Sequence, residues 1–133
     1  MRPKLSVRDL RFLELARRTA LHSTFLRKQV GCLLVKGNKI IARGWNKISH
    51  PAVKEFPGIS NLLYWSLHSE CAALLKAGDV VGATIYLYGI KRGRPGLSRP
   101  CPLCYKYLKL RGVSRIVYTG IKGKTIQSEI LTP

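Results

Sequence analysis

Hydrophobic residues recur at helical spacing near the start of the chain. The apolar positions are Leu10, Leu13, Ala16 and Ala20. Arginines lie between them, so that one side of a helix would be apolar and the other charged. Ser6 and Asp9 stand just ahead at the spacing of a capping box, with Asp in place of the usual Glu or Gln. The pattern predicts an amphipathic first helix.

Two short apolar runs follow this helix, at 30–35 and 40–44. Turn-forming residues, Lys-Gly-Asn-Lys at 36–39, separate the runs, and this arrangement predicts a β-hairpin. Two prolines and a glycine between residues 46 and 60 indicate a long loop.

The second half of the chain alternates between helix and strand patterns. The predicted order is a helix at 67–77, a strand at 84–88, a glycine-rich basic loop at 89–99, a helix at 102–111 and a strand at 115–119. Gly78 and Gly112 stand where the two helices end, and no element is predicted after Gly120. Strands that are joined through helices imply an α/β sandwich whose sheet is partly parallel.

The composition fits a folded protein that does not span a membrane. A chain of 133 residues suits one domain, expected over 1–133, and a hydrophobic fraction of 46% is enough for a packed core. No segment is apolar enough to cross a membrane, and the first residues carry charges where a secretory signal needs an apolar run. We therefore expect a cytoplasmic protein.

The chain is strongly basic. Its 24 Lys and Arg against six Asp and Glu give a formal net charge of +18. A positive field of this size attracts polyanions, of which nucleic acid is the usual one. The alternative is that the cations are scattered over a solvated surface.

Two of the four cysteines are spaced as Cys101-Pro-Leu-Cys104. In a reducing compartment this spacing indicates a metal site or a redox pair, not a disulfide framework. Cys32 lies in an apolar run and is predicted to be a small buried hydrophobe. Cys71 follows a His-Ser-Glu triplet at 68–70 and is interpreted as a bystander on the helix.

The candidate chemistry lies at the starts of the second and third predicted helices. His68 opens one helix, whereas Cys101 and Cys104 open the other, where residues three apart share a face and the helix N-terminus favours thiolates. One imidazole and two thiolates leave the fourth position of a tetrahedral Zn²⁺ to water, as in catalytic zinc sites. Glu70 is close enough to take a proton from this water and return it to a leaving amine.

The pattern His-x-Glu followed by Pro-Cys-x-x-Cys is typical of zinc-dependent nucleobase deaminases, and here it spans 68–104. A thioredoxin-like redox pair is a weaker alternative, because that motif is expected early in a βαβ unit and this pair comes late. A structural zinc ribbon would need a second Cys-x-x-Cys pair, which the sequence lacks.

From about Leu10 to Gly120 the chain resembles the cytidine and deoxycytidylate deaminase superfamily. Outside the zinc motif, a Ser-Thr…Arg…Val-Gly run at 23–31 and Gly-Trp-Asn at 44–46 are similar to the deoxycytidylate branch. The resemblance implies a three-layer α/β/α sandwich with a mixed five-stranded sheet, one zinc ion between two helix N-termini, and a tendency to form homo-oligomers. It also implies that Asn46 binds the substrate's sugar and that the backbone around Ser69 reads the base.

Three positions depart from the patterns of this superfamily. Lys47 stands where the deoxycytidylate branch usually has Gly, Ser69 where it usually has Ala, and Arg99 where tRNA adenosine deaminases usually have Glu. Because of Arg99, cytosine is favoured over adenine as the substrate base. Deamination of adenosine in tRNA and a non-catalytic zinc module that coats nucleic acid are the further alternatives.

Two forms of a cytosine substrate remain open. The resemblance favours free deoxycytidylate or cytidine, whereas the net charge and the cations Arg92, Arg94 and Arg99 beside the zinc cysteines favour single-stranded DNA or RNA. Trp45, next to Asn46, is predicted to line the pocket. The other aromatic residues, Tyr64, Trp65, Tyr86, Tyr88, Tyr105 and Tyr107 among them, are expected mainly in the core.

Overall fold

The computed structural model describes residues 5–47, 68–120 and 125–131. Helices and strands follow one another in these segments. They are α1 (Val7–Ala20), β1 (Gln29–Lys36), β2 (Lys39–Trp45), α2 (Ser69–Lys76), β3 (Thr84–Lys91), β4 (Arg94–Gly96), α3 (Pro102–Leu110), β5 (Arg115–Thr119) and β6 (Ile126–Ile130). None of the described helices is long and apolar enough to cross a membrane.

The strands form one mixed sheet in the order β2-β1-β3-β5-β6, and the short strand β4 pairs with β3. The pair β3 and β5 is parallel, because helix α3 carries the chain back across the sheet between them. The other pairs are antiparallel. The predicted mixed sheet is confirmed, with five main strands and the added β4.

Helices cover both faces of the sheet, which confirms the three-layer sandwich. Side chains on one face, Leu33, Tyr86 and Val117 among them, pack against Ala16 of α1. Their neighbours along the same strands point the other way and pack with residues of α2 and α3. This second cluster includes Cys32, Leu34, Ile85, Leu87, Ala73, Leu74, Cys104 and Leu108. The alternation of the two sets follows from the period of two residues in a strand.

Helix α1 begins with the predicted capping box. The Ser6 hydroxyl accepts a hydrogen bond from the backbone N–H of Asp9 at 3.1 Å, and the Asp9 carboxylate accepts one from the Ser6 N–H at 2.8 Å. Asp therefore replaces the usual Glu or Gln in this motif.

Two strands lie where no strand was predicted. The expectation of a loop at 89–99 is wrong over its first half, because β3 continues to Lys91 and turns through Arg92 and Gly93, with φ of 51° and 81°, into β4. Strand β6 was not predicted because its sequence, Ile-Gln-Ser-Glu-Ile, has no apolar run. Only Ser128 within it is buried. The predicted loop at 46–60, with Tyr64 and Trp65 beyond it, lies almost entirely outside the described residues.

Gly44 in β2 allows the start of α2 to sit directly on the sheet. A Cβ atom at this position would overlap the carbonyl oxygen of Ser69 and the backbone nitrogen of Ala73. The buried Cys32 thiol, on the neighbouring strand β1, donates a hydrogen bond to the same Ser69 oxygen at 3.2 Å. The sheet therefore sets the position of the helix start that carries His68 and Glu70.

Candidate metal centre and catalytic cavity

Three metal-ligating side chains converge at the N-termini of α2 and α3. His68 is the N-cap of α2, and Cys101 is the N-cap of α3, where its sulfur accepts from the backbone N–H of Cys104. The Nδ1 atom of His68 lies 3.3 Å from the Sγ of Cys104 and 3.7 Å from that of Cys101. All three potential ligand atoms lie within 4.8 Å of one another.

Hydrogen bonds link these three groups. Hydrogen bonds from Cys104 and His68 lower the pKa of the Cys101 thiol to about 3. The hydrogen bond with Cys101 raises the pKa of His68, and hydrogen bonds with Cys101 and Cys71, together with burial, raise the pKa of Cys104. A divalent cation between them would replace the protons of these hydrogen bonds, and one nitrogen with two sulfurs is a donor set that suits Zn²⁺. The residues present therefore fit zinc.

Glu70 lies beside this centre but outside the group of potential ligands. It is buried in the first turn of α2, and its carboxylate accepts a hydrogen bond from the Ser69 hydroxyl at 2.5 Å. That bond is the only one that the described residues make to the Glu70 side chain. One carboxylate oxygen thus accepts a hydrogen bond, and the other accepts none from the described residues.

A cavity of about 240 Å³ opens at the metal centre. It is lined by residues from the segment before β1, the end of β2, the start of α2 and the segment before α3. The described lining consists of Phe25, Lys28, Val30, Asn46, His68, Ser69, Glu70, Ser98, Arg99 and Cys101. Two potential metal ligands, a buried carboxylate and two cations thus face one space.

Asn46 lines this cavity and also braces the segment before β1. Its Oδ1 accepts from the backbone N–H of Val30 at 2.9 Å, and its Nδ2 donates to the carbonyl of Lys28 at 2.8 Å. The Ser23 hydroxyl donates to the Asn46 carbonyl at 2.9 Å. The second N–H of the Asn46 amide makes no hydrogen bond within the described residues.

Trp45 is not part of the described lining of the cavity, contrary to the expectation from its place beside Asn46. Its ring lies 5.0 Å from that of His22, and the Nζ atoms of Lys47 and Lys76 lie 4.8 Å and 4.6 Å from its centroid. Tyr86, Tyr88, Tyr105 and Tyr107 pack against the two core clusters, as expected.

The three arginines of the basic segment have different surroundings. Arg99 lines the cavity, but its guanidinium is paired with Glu129 of β6 at 2.9 Å and lies 5.3 Å from the centroid of the Tyr105 ring. The hydrogen bond to Glu129 raises the pKa of Arg99 above the ordinary value of an arginine. Arg92 is exposed at the turn between β3 and β4, and Arg94 is exposed on β4.

Four residues that line the cavity were not predicted from the sequence as site residues, and one of them is Val30 of β1. Phe25 and Lys28 lie in the segment between α1 and β1, whose resemblance to the deoxycytidylate branch was the available signal. Ser98 is buried, donates to the Leu87 carbonyl at 3.0 Å, and accepts from the backbone N–H of Thr119 at 2.8 Å. These bonds tie the segment before Cys101 to the central strands.

Comparison with known proteins agrees with this geometry. A family model of the cytidine and deoxycytidylate deaminase zinc-binding region matches residues 6–120. Deoxycytidylate deaminase of Schizosaccharomyces pombe is 30% identical over 125 residues, which cover 83% of this chain and 36% of that protein. The corresponding protein of Saccharomyces cerevisiae is 32% identical over 122 residues, which cover 84% and 37%. The chain spans little more than a third of the length of both relatives.

A solved structure with a similar fold is the dCMP deaminase from the cyanophage S-TIM5 in complex with dCMP and dUMP. Its TM-score is 0.65 at 22% sequence identity, and the match covers 88% of this chain and 85% of that one. This similarity supports the three-layer sandwich.

Proposed function

The chain belongs to the cytidine and deoxycytidylate deaminase family, and from this premise we propose that it hydrolyses the amino group of cytosine, releasing uracil and ammonia. The observation that carries the proposal is the buried Glu70 beside a site with three ligands. The ligand atoms come from His68, Cys101 and Cys104, and Glu70 shares their cavity without belonging to the ligand group that the described residues form.

The metal ligands, Glu70 and Ser69 have separate roles in the proposed reaction. A Zn²⁺ held by His68, Cys101 and Cys104 would supply a Lewis acid that lowers the pKa of a water molecule. Glu70 takes a proton from the attacking water and passes it to the base, whose amino group leaves as ammonia. The Ser69 hydroxyl orients the Glu70 carboxylate through its hydrogen bond.

We propose that the base enters the cavity of 240 Å³ and that its sugar lies at Asn46. The backbone of Ser69, at the start of α2, is positioned to contact the base, because Ser69 lines the same cavity. Lys28 offers an ammonium group to the phosphate of a deoxycytidylate-type nucleotide. The two similar deoxycytidylate deaminases support a free nucleotide as the first substrate to test.

Cytosine in a single-stranded nucleic acid is the second candidate. It is favoured by the net charge of +18, since one nucleotide phosphate needs only one or two cations. Arg92 and Arg94, exposed on the β3–β4 hairpin, are the cations we assign to this role. Arg99 contributes through its position in the cavity wall, although Glu129 shares its charge.

The setting of the reaction is also a proposal. All four cysteines are free, as expected of thiols in the cytoplasm. We propose that 1–133 acts there as one domain and that copies of the chain associate.

A deamination assay on zinc-loaded protein tests the proposed function. The substrates are dCMP, cytidine and single-stranded oligonucleotides that contain cytosine, with release of ammonia and formation of uracil as the two readouts. In Glu70→Gln we expect zinc to be retained and turnover to fall by about 10²–10⁴-fold, the usual contribution of a general acid–base group. Absence of uracil from every substrate, or full activity in Glu70→Gln, would contradict the proposal.

A further inference from the structure

A second cavity adjoins the catalytic one along strand β4. Its volume is about 720 Å³, against 240 Å³ for the catalytic cavity. We call it the β4 groove, and its described lining consists of Lys28, Ile90, Lys91, Arg94, Pro95, Gly96 and Leu97. Lys28 belongs to the lining of both cavities, so the two spaces meet at this side chain.

No acidic side chain among the described residues compensates the positive charge of the β4 groove. Lys28, Lys91 and Arg94 are exposed, no acidic residue is among the described lining, and none of the three has an ion-pair partner in the described segments. The described carboxylates outside the catalytic cavity are engaged elsewhere, with Glu129 on Arg99 and Asp79 on Lys36 as examples. The groove is therefore complementary to a chain of phosphates.

The β3–β4 hairpin places two of these cations directly opposite each other. Lys91 of β3 is the register partner of Arg94 of β4, on either side of the turn at Arg92 and Gly93. Like charges that face each other across a strand pair destabilise the pair. An anion bound between them would remove this repulsion.

Apolar side chains line the same groove. Ile90 is buried in β3, whereas Pro95 is exposed and Leu97 keeps 40% of its surface exposed beside the cations. A nucleotide needs cations for its phosphate and apolar surface for its sugar and base, and the groove offers both. Its volume lies in the range of about 300–1,000 Å³ that is typical of ligand pockets.

We propose that the β4 groove holds nucleotides that are covalently linked to the cytidine in the catalytic cavity, so that the substrate class is single-stranded nucleic acid. This inference rests on the proposed function and narrows it. Lys28, at the junction of the two cavities, contacts the phosphate that joins the target nucleotide to its neighbour. Lys91 and Arg94 contact the next phosphate along the strand.

The test compares two double variants with the same reduction in charge. Lys91→Ser/Arg94→Ser removes two cations of the groove, and the control Arg11→Ser/Lys109→Ser removes two exposed cations from α1 and α3. For zinc-loaded protein, kcat/KM is measured on dCMP and on a single-stranded deoxyoligonucleotide with one cytosine. In the groove variant we expect kcat/KM on the oligonucleotide to fall roughly tenfold or more at low salt, with dCMP and the control variant almost unchanged.

Binding to the oligonucleotide, measured by fluorescence anisotropy in a zinc-loaded Glu70→Gln background, gives a second readout. We expect the slope of log affinity against log salt to fall by about 0.7 for each phosphate that the variant no longer neutralises. Equal reductions on dCMP and oligonucleotide, or equal reductions in the control variant, would overturn the proposal. The proposal would also be overturned if a free nucleoside triphosphate bound through Lys91 and Arg94 and the oligonucleotide did not bind there.

The two proposals fail in different ways. If no cytosine substrate is deaminated, the proposed function fails, and the anisotropy measurement still decides whether the β4 groove binds a strand. If dCMP is deaminated and the oligonucleotide neither binds nor reacts, the inference fails and the proposed function stands.

Discussion

The sheet separates two buried polar clusters of opposite character. On the α1 face, the Asp9 carboxylate accepts from the Tyr86 hydroxyl at 2.6 Å, from Arg115 at 3.0 and 2.9 Å, and from the Ser6 N–H at 2.8 Å. Both oxygens of Asp9 are thus engaged by donors from α1, β3 and β5. We call this α1 cluster (Asp9, Tyr86 and Arg115) closed, because both oxygens of its carboxylate accept hydrogen bonds from protein donors.

The cluster on the opposite face, made of His68, Glu70, Cys101 and Cys104, is open. It faces a cavity, its potential ligand atoms lie within hydrogen-bond distance of one another, and one Glu70 oxygen accepts no bond from the described residues. Titratable groups are buried in both clusters, so burial alone does not indicate chemistry. A cluster is a candidate for chemistry when some of its polar atoms lack hydrogen-bond partners in the protein and face a space that a ligand can fill.

The largest expected effect comes from removing a ligand of the open cluster. In Cys101→Ala we expect zinc affinity to fall by more than about 100-fold, beyond what outer partners of a metal contribute, and deaminase activity to disappear with the metal. Zinc content by atomic emission, together with the deamination assay, checks this. Cys32→Ser is the matched control, because Cys32 is buried outside the ligand group and a serine hydroxyl keeps the hydrogen-bond donor to the Ser69 oxygen. If Cys101→Ala retained zinc, Cys101 would not be a ligand of the metal.

A smaller effect, on stability, is expected from the closed cluster. Asp9→Asn leaves the largely buried Arg115 without its charged partner, and we expect the free energy of unfolding to fall by about 3 kcal/mol. Activity per folded molecule should be retained, because Asp9 lies across the sheet from the cavity. Urea unfolding measures the stability change.

The exposed pair of Lys36 and Asp79 serves as the control for this experiment. We expect Asp79→Asn to cost far less than Asp9→Asn, since exposed ion pairs contribute little to stability. A cost for Asp9→Asn as small as this would show that the α1 cluster does not stabilise the fold.

The smallest effect concerns pH. Burial raises the pKa of Asp9, but hydrogen bonds from Arg115 and Tyr86 outweigh it and hold the pKa well below its usual range. A lowered pKa in the folded state stabilises the protein above the unfolded value of about 3.9, and this contribution declines as the pH falls further. The difference in unfolding free energy between wild type and Asp9→Asn should therefore be smaller at about pH 3 than at about pH 5. A difference that stays constant with pH would contradict this.

Local signals in the sequence were sufficient for most of the fold and for the metal centre. The capping box at Ser6, the alternating runs of the hairpin and the glycines after α2 and α3 each act within a few residues, so a single stretch of sequence reveals them. The same holds for His68, Cys101 and Cys104, because spacing along a helix start decides which face a ligand occupies. Strand β6 lacked such a signal, since its stability comes from pairing with β5.

By itself, therefore, the sequence determined the layers, the candidate ligand set, the carboxylate that we propose as the proton-transferring group, and the excess of positive charge. Only the tertiary structure decided that Lys28 lines two cavities, that Glu129 engages Arg99, that Trp45 lies against His22, and that Lys91 faces Arg94 across a hairpin. These contacts join segments that are distant in the chain or depend on the exact turn between two strands. No local periodicity encodes them, because they arise only when the sheet brings those segments together.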